Sequence, residues 1–299
     1  MRDLRVVIDG VHILHGVEFE VAPTGVTALL GRNGAGKTTT VRAVMGLVPR
    51  TGSVRLVGAS SDLGSGSAAN SGVGTGACAD AAGGGTAGGG TAGGGGTELE
   101  LIGLPTHLIV RQGIGYAPED RGIFAGLTVA ENLRLAERDA TPAYPLVHEI
   151  FPELKRRAGQ LAGTLSGGQQ QMLAIGRTLL NGNRLIIADE PTKGLAPKIV
   201  AEVAEALARV AEAVPVLLVE QNLALVRRLA GRCVVLADGL TAHAGETAEL
   251  LADEAAARRL LGVGGRGGRG GEARGGLAVG EGGARTGGRR PGDERAVEL

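Results

Sequence analysis

Residues Gly31-Arg32-Asn33-Gly34-Ala35-Gly36-Lys37-Thr38 form an uninterrupted G-x-x-x-x-G-K-[ST] run. Glycines at this spacing let the backbone curl until its N–H groups point inward at phosphate oxygens, and a following helix N-terminus adds partial positive charge. Lys37 would reach the β- and γ-phosphates of a nucleotide, and the Thr38 hydroxyl would hold Mg²⁺. Thr39, the next residue, counts with Gly31–Thr38 as a phosphate-binding position. Farther along, the apolar run Leu185-Ile186-Ile187-Ala188 ends in Asp189-Glu190. Asp189 would orient Mg²⁺ through its shell, and Glu190 is placed to polarise the water that attacks the γ-phosphate. Strands often end in acids, so this pair gains its meaning from the phosphate loop before it. A third run, Leu165-Ser166-Gly167-Gly168-Gln169, opens an apolar stretch that reads as a helix. There Ser166 and the glycine amides present donors to a phosphate, as at any helix N-terminus. The plainer reading of that run is a turn before a helix.

These groups need strands and helices to hold them. Val26–Leu30 reads as a buried strand ahead of the phosphate loop and Thr39–Met45 as a helix behind it. Hydrophobic periodicity predicts strands at 5–8, 17–21, 26–30, 53–57, 113–117, 184–188, 215–219 and 232–236. It predicts helices at 37–47, 128–137, 168–181, 197–212, 222–230 and 246–260. Short apolar runs such as Val216-Leu217-Leu218-Val219 suit strands buried on both faces. The alternation implies an α/β fold with a largely parallel sheet, its nucleotide at the C-terminal strand ends. Residues from 120 to 165 lack the strand rhythm and read as mainly helical.

Composition narrows the choices. Net charge is zero over 299 residues, which argues against a protein built to grip nucleic acid. No apolar run reaches the length that spans a bilayer. Met1-Arg2-Asp3-Leu4-Arg5 begins no apolar stretch, so no signal peptide is expected, and the chain is expected to stay in the cytoplasm. Cys78, Cys233 and five scattered histidines form no metal or redox spacing. Aromatics make up 2% of the chain, so the core must be built from Leu, Val, Ile and Ala. Residues 59–97 are mostly Gly, Ala, Ser and Thr and read as a flexible insertion, because they carry too little apolar surface to offset ordering entropy. Residues 263–299, rich in Gly and Arg, read as a disordered tail. RNA binding by that tail is disfavoured by Glu272, Glu281, Asp293, Glu294 and Glu298 and by its lack of aromatics.

The Ser166 run, continued by Gln170-Gln171-Met172-Leu173-Ala174-Ile175-Gly176-Arg177, resembles the signature of the ATP-binding-cassette (ABC) ATPases. The resemblance covers residues 4–262 apart from the insertion. It implies a P-loop NTPase fold of the ABC ATPase type, with a mainly parallel sheet, an antiparallel β edge and a helical subdomain at about 119–168 of a 1–262 domain. It also implies ATP and Mg²⁺ as cofactors. In that family the signature meets ATP held by a second ATPase subunit, so two cassettes close head-to-tail around two ATPs. Gly113–Phe124 with Leu127–Leu133, Glu190–Pro197 and Leu217–Asn222 look more narrowly like the second ATPase of branched-chain amino-acid importers. Urea-importer ATPases are near neighbours.

That resemblance implies a peripheral subunit on the cytoplasmic membrane face. Its partners would be permease subunits, a second ATPase (heterodimer or homodimer) and, indirectly, a solute-binding protein, with no nucleic acid. Permease helices would dock near Glu119–Leu133, with Phe124 either an apolar contact or simple core packing. Glu190, Gln221 and Lys37 would be catalytic, and Thr38 and Asp189 would serve the metal. Gly31–Thr39, Glu119, Ser166, Gly167, Gly168 and Gln169 would contact nucleotide. Most family members have Gln at Glu119, His at Gln221 and Asp at Ala196, and changes of the first two kinds occur in the branched-chain subfamily. Ile8 falls where an aromatic usually stacks on adenine, which bears on base selectivity. Gln221 and an anionic Glu119 are both expected to weaken this chain's own site. A cassette ATPase acting on ribosomes or DNA is the alternative, disfavoured by the single cassette and the Gly-rich insertion; a non-ABC switch or kinase is disfavoured by the signature.

Overall fold

The computed structural model describes residues 1–57 and 98–262. The expected insertion at 59–97 and tail at 263–299 lie outside the described residues. In chain order the strands are β1 (Arg2–Ile8), β2 (Val11–Val17), β3 (Val26–Gly31), β4 (Thr51–Ser53), β5 (Arg55–Val57), β6 (Glu98–Glu100), β7 (Ile114–Ala117), β8 (Leu185–Asp189), β9 (Val216–Val219), β10 (Ala230–Ala237) and β11 (Leu240–Glu246). The helices are α1 (Lys37–Val44), α2 (Thr106–Arg111), α3 (Val129–Arg134), α4 (Tyr144–Ile150), α5 (Pro152–Arg156), α6 (Gly167–Leu179), α7 (Pro197–Ala213), α8 (Leu223–Leu229), α9 (Thr247–Ala252) and α10 (Glu254–Leu261).

A six-stranded sheet in the order β11-β10-β3-β9-β8-β7 organises the fold. All its pairings are parallel except β10 with β11. Its central strands are apolar apart from Thr27 and Asp189, because both faces are covered. Ala28 and Leu30 of β3, with Ile186 of β8 and Leu218 of β9, pack against α6 and α7 through Ile175 and Leu207. Leu29, Ile187 and Leu217 point the other way, against α1 and the β2-β1-β4 sheet through Val41 and Leu4. Alternate residues of one strand thus serve two cores, as a period of two requires. Parallel pairing brings the ends of β3, β8 and β9 together. The phosphate loop, the Asp189-Glu190 acids and Gln221 follow those three strands.

Several expectations change: the strand expected at 53–57 divides into β4 and β5, which lie in different sheets, and β6 and α2 are additional elements. The strand expected at 17–21 lies at Val11–Val17, and β11 is an additional strand. Both follow an Asp-Gly turn whose two residues have positive φ: Asp9 and Gly10 (50° and 80°), and Asp238 and Gly239 (49° and 70°). This conformation matches the twist of paired antiparallel strands, and Asp-Gly is its strongest sequence signal. The helix expected at 246–260 breaks at Asp253, whose carboxylate instead caps α10 by accepting from the Ala256 amide at 2.9 Å. Among the described residues no helix is long and apolar enough to cross a membrane.

Candidate nucleotide-hydrolysis site

The phosphate loop leaves β3 at Gly31 and enters α1 at Lys37. Gly34 and Gly36 sit at φ 82° and 97°, a region that side chains resist. A Cβ on Gly31 would stand 2.5 Å from the Leu236 carbonyl, and one on Gly36 would stand 2.6 Å from Leu14 Cδ2. The loop therefore needs glycine for packing as well as for curvature. Arg32, Asn33 and Gly34 are exposed at its tip, while Thr38 and Thr39 are half-buried. Lys37 is buried and donates to the carbonyls of Gly31 (3.0 Å) and Arg32 (3.2 Å). Burial pushes its ammonium below its usual pKa, against the pull of Glu190 and Asp189.

Asp189 ends β8 fully buried. It accepts from the Thr38 hydroxyl at 3.4 Å and from the Tyr116 hydroxyl at 3.3 Å. Burial pushes its carboxyl up to about 6; Glu190 and Glu119 act in the same direction, and the two hydroxyls oppose them. The Tyr116 phenol is pushed up as well, by burial and then by Asp189. A hydroxyl and a carboxylate in contact form a hard oxygen pair, which suits Mg²⁺. Glu190, 9% exposed, takes φ 46°, a rare conformation for a non-glycine residue. Its amide donates to the Val219 carbonyl at 2.9 Å, which fixes the turn to β9. Gln221 Nε2 then donates to Glu190 Oε1 at 2.7 Å.

Glu119 has a counter-ion. Lys193 Nζ lies 2.6 Å from Glu119 Oε1 and 3.2 Å from Glu190 Oε2. The two carboxylates hold the Lys193 ammonium above its usual pKa. The anionic group expected at Glu119 is therefore paired with a cation. Glu220 also escaped that reading. It is buried and accepts from the Thr192 hydroxyl (2.5 Å) and amide (3.2 Å) and from the amides of Gln221 (3.0 Å) and Asn222 (3.1 Å). One carboxylate thus ties the turn after β8 to the turn after β9. An acid between a buried strand and a glutamine was its only sequence signal. Between these turns an open cleft of about 500 Å³ runs past Asn33, Glu190, Lys193, Gln221 and Val200.

The sequence profile of a family described as ABC transporter matches residues 14–77 and 90–193. The chain belongs to the ABC transporter family. It is 36% identical over 236 residues to the high-affinity branched-chain amino acid transport ATP-binding protein BraG of Pseudomonas aeruginosa, which spans 77% of this chain and 84% of BraG. It is 28% identical over 260 residues to the probable branched-chain amino acid transport ATP-binding protein LivF of Archaeoglobus fulgidus, which spans 84% of this chain and 93% of that one. A solved ATP-binding subunit of an ABC transporter shares the fold, with TM-score 0.58 and 24% identity over 87% of this chain and 92% of that chain. The chain is an ABC ATPase.

The ABC signature opens α6. Ser166 caps α6: its hydroxyl accepts from the Gln169 amide at 3.4 Å, and Gln169 Oε1 accepts from the Ser166 amide at 3.0 Å. Ile199 of α7 fills the space that a Cβ on Gly168 would take, and a Cβ on Gly167 would stand 3.4 Å from the Arg121 guanidinium. Among the described residues no hydrogen bond joins Ser166–Gln169 to the phosphate loop, Asp189 or Glu190. Ile8 ends β1 beside Val11 and is 37% exposed, also with no hydrogen bond to the loop among the described residues. Phe124 is exposed rather than in the core, with the Arg177 guanidinium 5.1 Å above its ring.

Proposed function

We propose that this ABC ATPase hydrolyses ATP with Mg²⁺ to power import of a small solute, branched-chain amino acids, through a membrane permease. The hydrolytic half of this reading rests on the Gln221–Glu190 hydrogen bond at 2.7 Å. The solute rests on the likeness to BraG and LivF. In this reading the amides of Gly34–Thr39 and the Lys37 ammonium hold the β- and γ-phosphates, and Lys37 exchanges its present carbonyl partners for them. Thr38 and Asp189 would hold Mg²⁺, which would draw charge from the γ-phosphate. Glu190 accepts a proton from the attacking water, and Gln221 holds the carboxylate oriented for it. A glutamine can donate here but cannot become a cation. Ser166 and its glycines would complete the site of a second ATPase subunit; among the described residues they make no hydrogen bond to this chain's own loop. The groove bounded by Arg42, Leu47, Val48, Tyr116 and Glu119, about 700 Å³, with exposed Phe124 nearby in sequence, would take the permease. The protein would then sit on the cytoplasmic membrane face as a 1–262 domain with a helical subdomain at about 119–168. The test is uptake of labelled leucine and of urea into vesicles that carry the permease and the partner subunits. ATP-dependent leucine uptake lost with Glu190→Gln is expected; urea uptake alone would replace the solute.

A further inference from the structure

Three carboxylates converge where a polyanion must bind. Asp189 is fully buried, Glu190 nearly so, and Glu119 stands at the rim. Two ammonium groups face them. Lys37 is spent on its own loop carbonyls and on the phosphates it would receive. Lys193 touches two of the acids, at 2.6 and 3.2 Å. Its backbone amide also donates to the Glu190 carbonyl at 3.1 Å, so the turn that carries Glu190 aims the lysine back at it. Gln221 holds one oxygen of Glu190 and Lys193 the other.

We propose that Lys193 is a positioning residue that offsets the charge of Glu119 toward incoming phosphate and fixes Glu190 for reaction. The two roles separate by partner. The first acts through Glu119 and belongs to nucleotide affinity. The second acts through Glu190 and belongs to turnover. Lys193 is largely exposed, so the ion pairs add little to folding. Their effect is on the local potential met by a triphosphate. The inference rests on the reading of Asp189 and Glu190 as the hydrolytic acids.

The experiment is a double-mutant cycle of Lys193→Met with Glu119→Gln, in the full chain. ATP affinity is read by calorimetry without turnover, and kcat separately. With Glu119 present, Lys193→Met should raise the ATP Kd about tenfold, which corresponds to about 1.4 kcal/mol. With Gln at 119 the same change should raise it less than about twofold, while kcat falls in both backgrounds. Lys193→Arg should restore both. A Kd loss of equal size in the two backgrounds, or none in either, overturns the proposal, because the lysine would then act on phosphate directly or not at all. Unchanged kcat in both backgrounds also overturns it. Glu190→Gln is the control: if it keeps full turnover, the hydrolytic reading itself fails. If it loses turnover while Lys193→Met behaves as native, only this inference fails.

Discussion

Gln221 and Glu190 meet across two neighbouring strand ends, Nε2 to Oε1 at 2.7 Å. The contact exists because β8 and β9 pair in parallel, Asp189 opposite Val219, so the residues just beyond them share one edge. Replacing Glu190 by Gln removes the proton acceptor while keeping the shape. ATP binding should persist and turnover should fall about 10²–10⁴-fold. Single-turnover hydrolysis beside equilibrium ATP binding checks this, and retained turnover would dismiss Glu190 as the base.

Glu220 predicts a coupled loss. Its carboxylate serves four donors on two turns, and truncation strands the buried Thr192 amide and hydroxyl and two part-buried amides. Glu220→Ala should cost at least about 1–3 kcal/mol of stability. At this chain length that lowers the melting temperature by about 2–4 °C per kcal/mol. Turnover should fall further than stability explains, since the Gln221 amide loses its anchor. Calorimetric melting and ATPase rates on the same sample decide it; a native melting temperature would mean the carboxylate is not needed to lock the turns.

Val57 of β5 and Glu98 of β6 are cross-strand partners. The chain between them leaves and returns at one place, so a two-residue Asn-Gly turn can join them. Replacing the segment from 58 to 97 by that turn should leave ATP binding unchanged. The shorter loop lowers closure entropy, so stability should hold or rise by roughly 2 kcal/mol. A melting temperature lowered by more than about 10 °C would show that the segment supports the fold.

If the second ATPase subunit differs from this chain, the two composite sites should be unequal. This chain would supply Lys37, Thr38, Asp189, Glu190 and Gln221 to one composite site and Ser166 with its glycines to the other. Gln221 cannot become a cation or relay a proton as a histidine can, so the site it serves should be the slower one. Lys37→Ala should then reduce uptake less than the matching lysine change in the partner, while Ser166→Arg should be severe. Solute uptake in membranes with each single variant measures this, and equal losses from the two lysine changes would refute the asymmetry.

The sequence by itself carried the phosphate loop, the acid pair and the helix cap. Gly31–Thr38, Asp189-Glu190 and Ser166–Gln169 are contiguous runs, and their local geometry follows from short-range rules: glycines curl a loop, a buried strand exposes the acids at its end, and a serine caps a helix. The strand–helix rhythm identified the parallel sheet for the same reason. The true position of β2 and the presence of β11 were legible too, in Asp9-Gly10 and Asp238-Gly239. Only the tertiary structure decided which distant residues meet. Lys193 lies 74 positions from Glu119, and no periodicity links them. Glu220 reaches Thr192 across 28 positions because two parallel strands end side by side. Whether Glu119 is an uncompensated anion or half of an ion pair depends on strand order and turn direction. Strand order and turn direction arise from packing the whole sheet, and no local pattern encodes them.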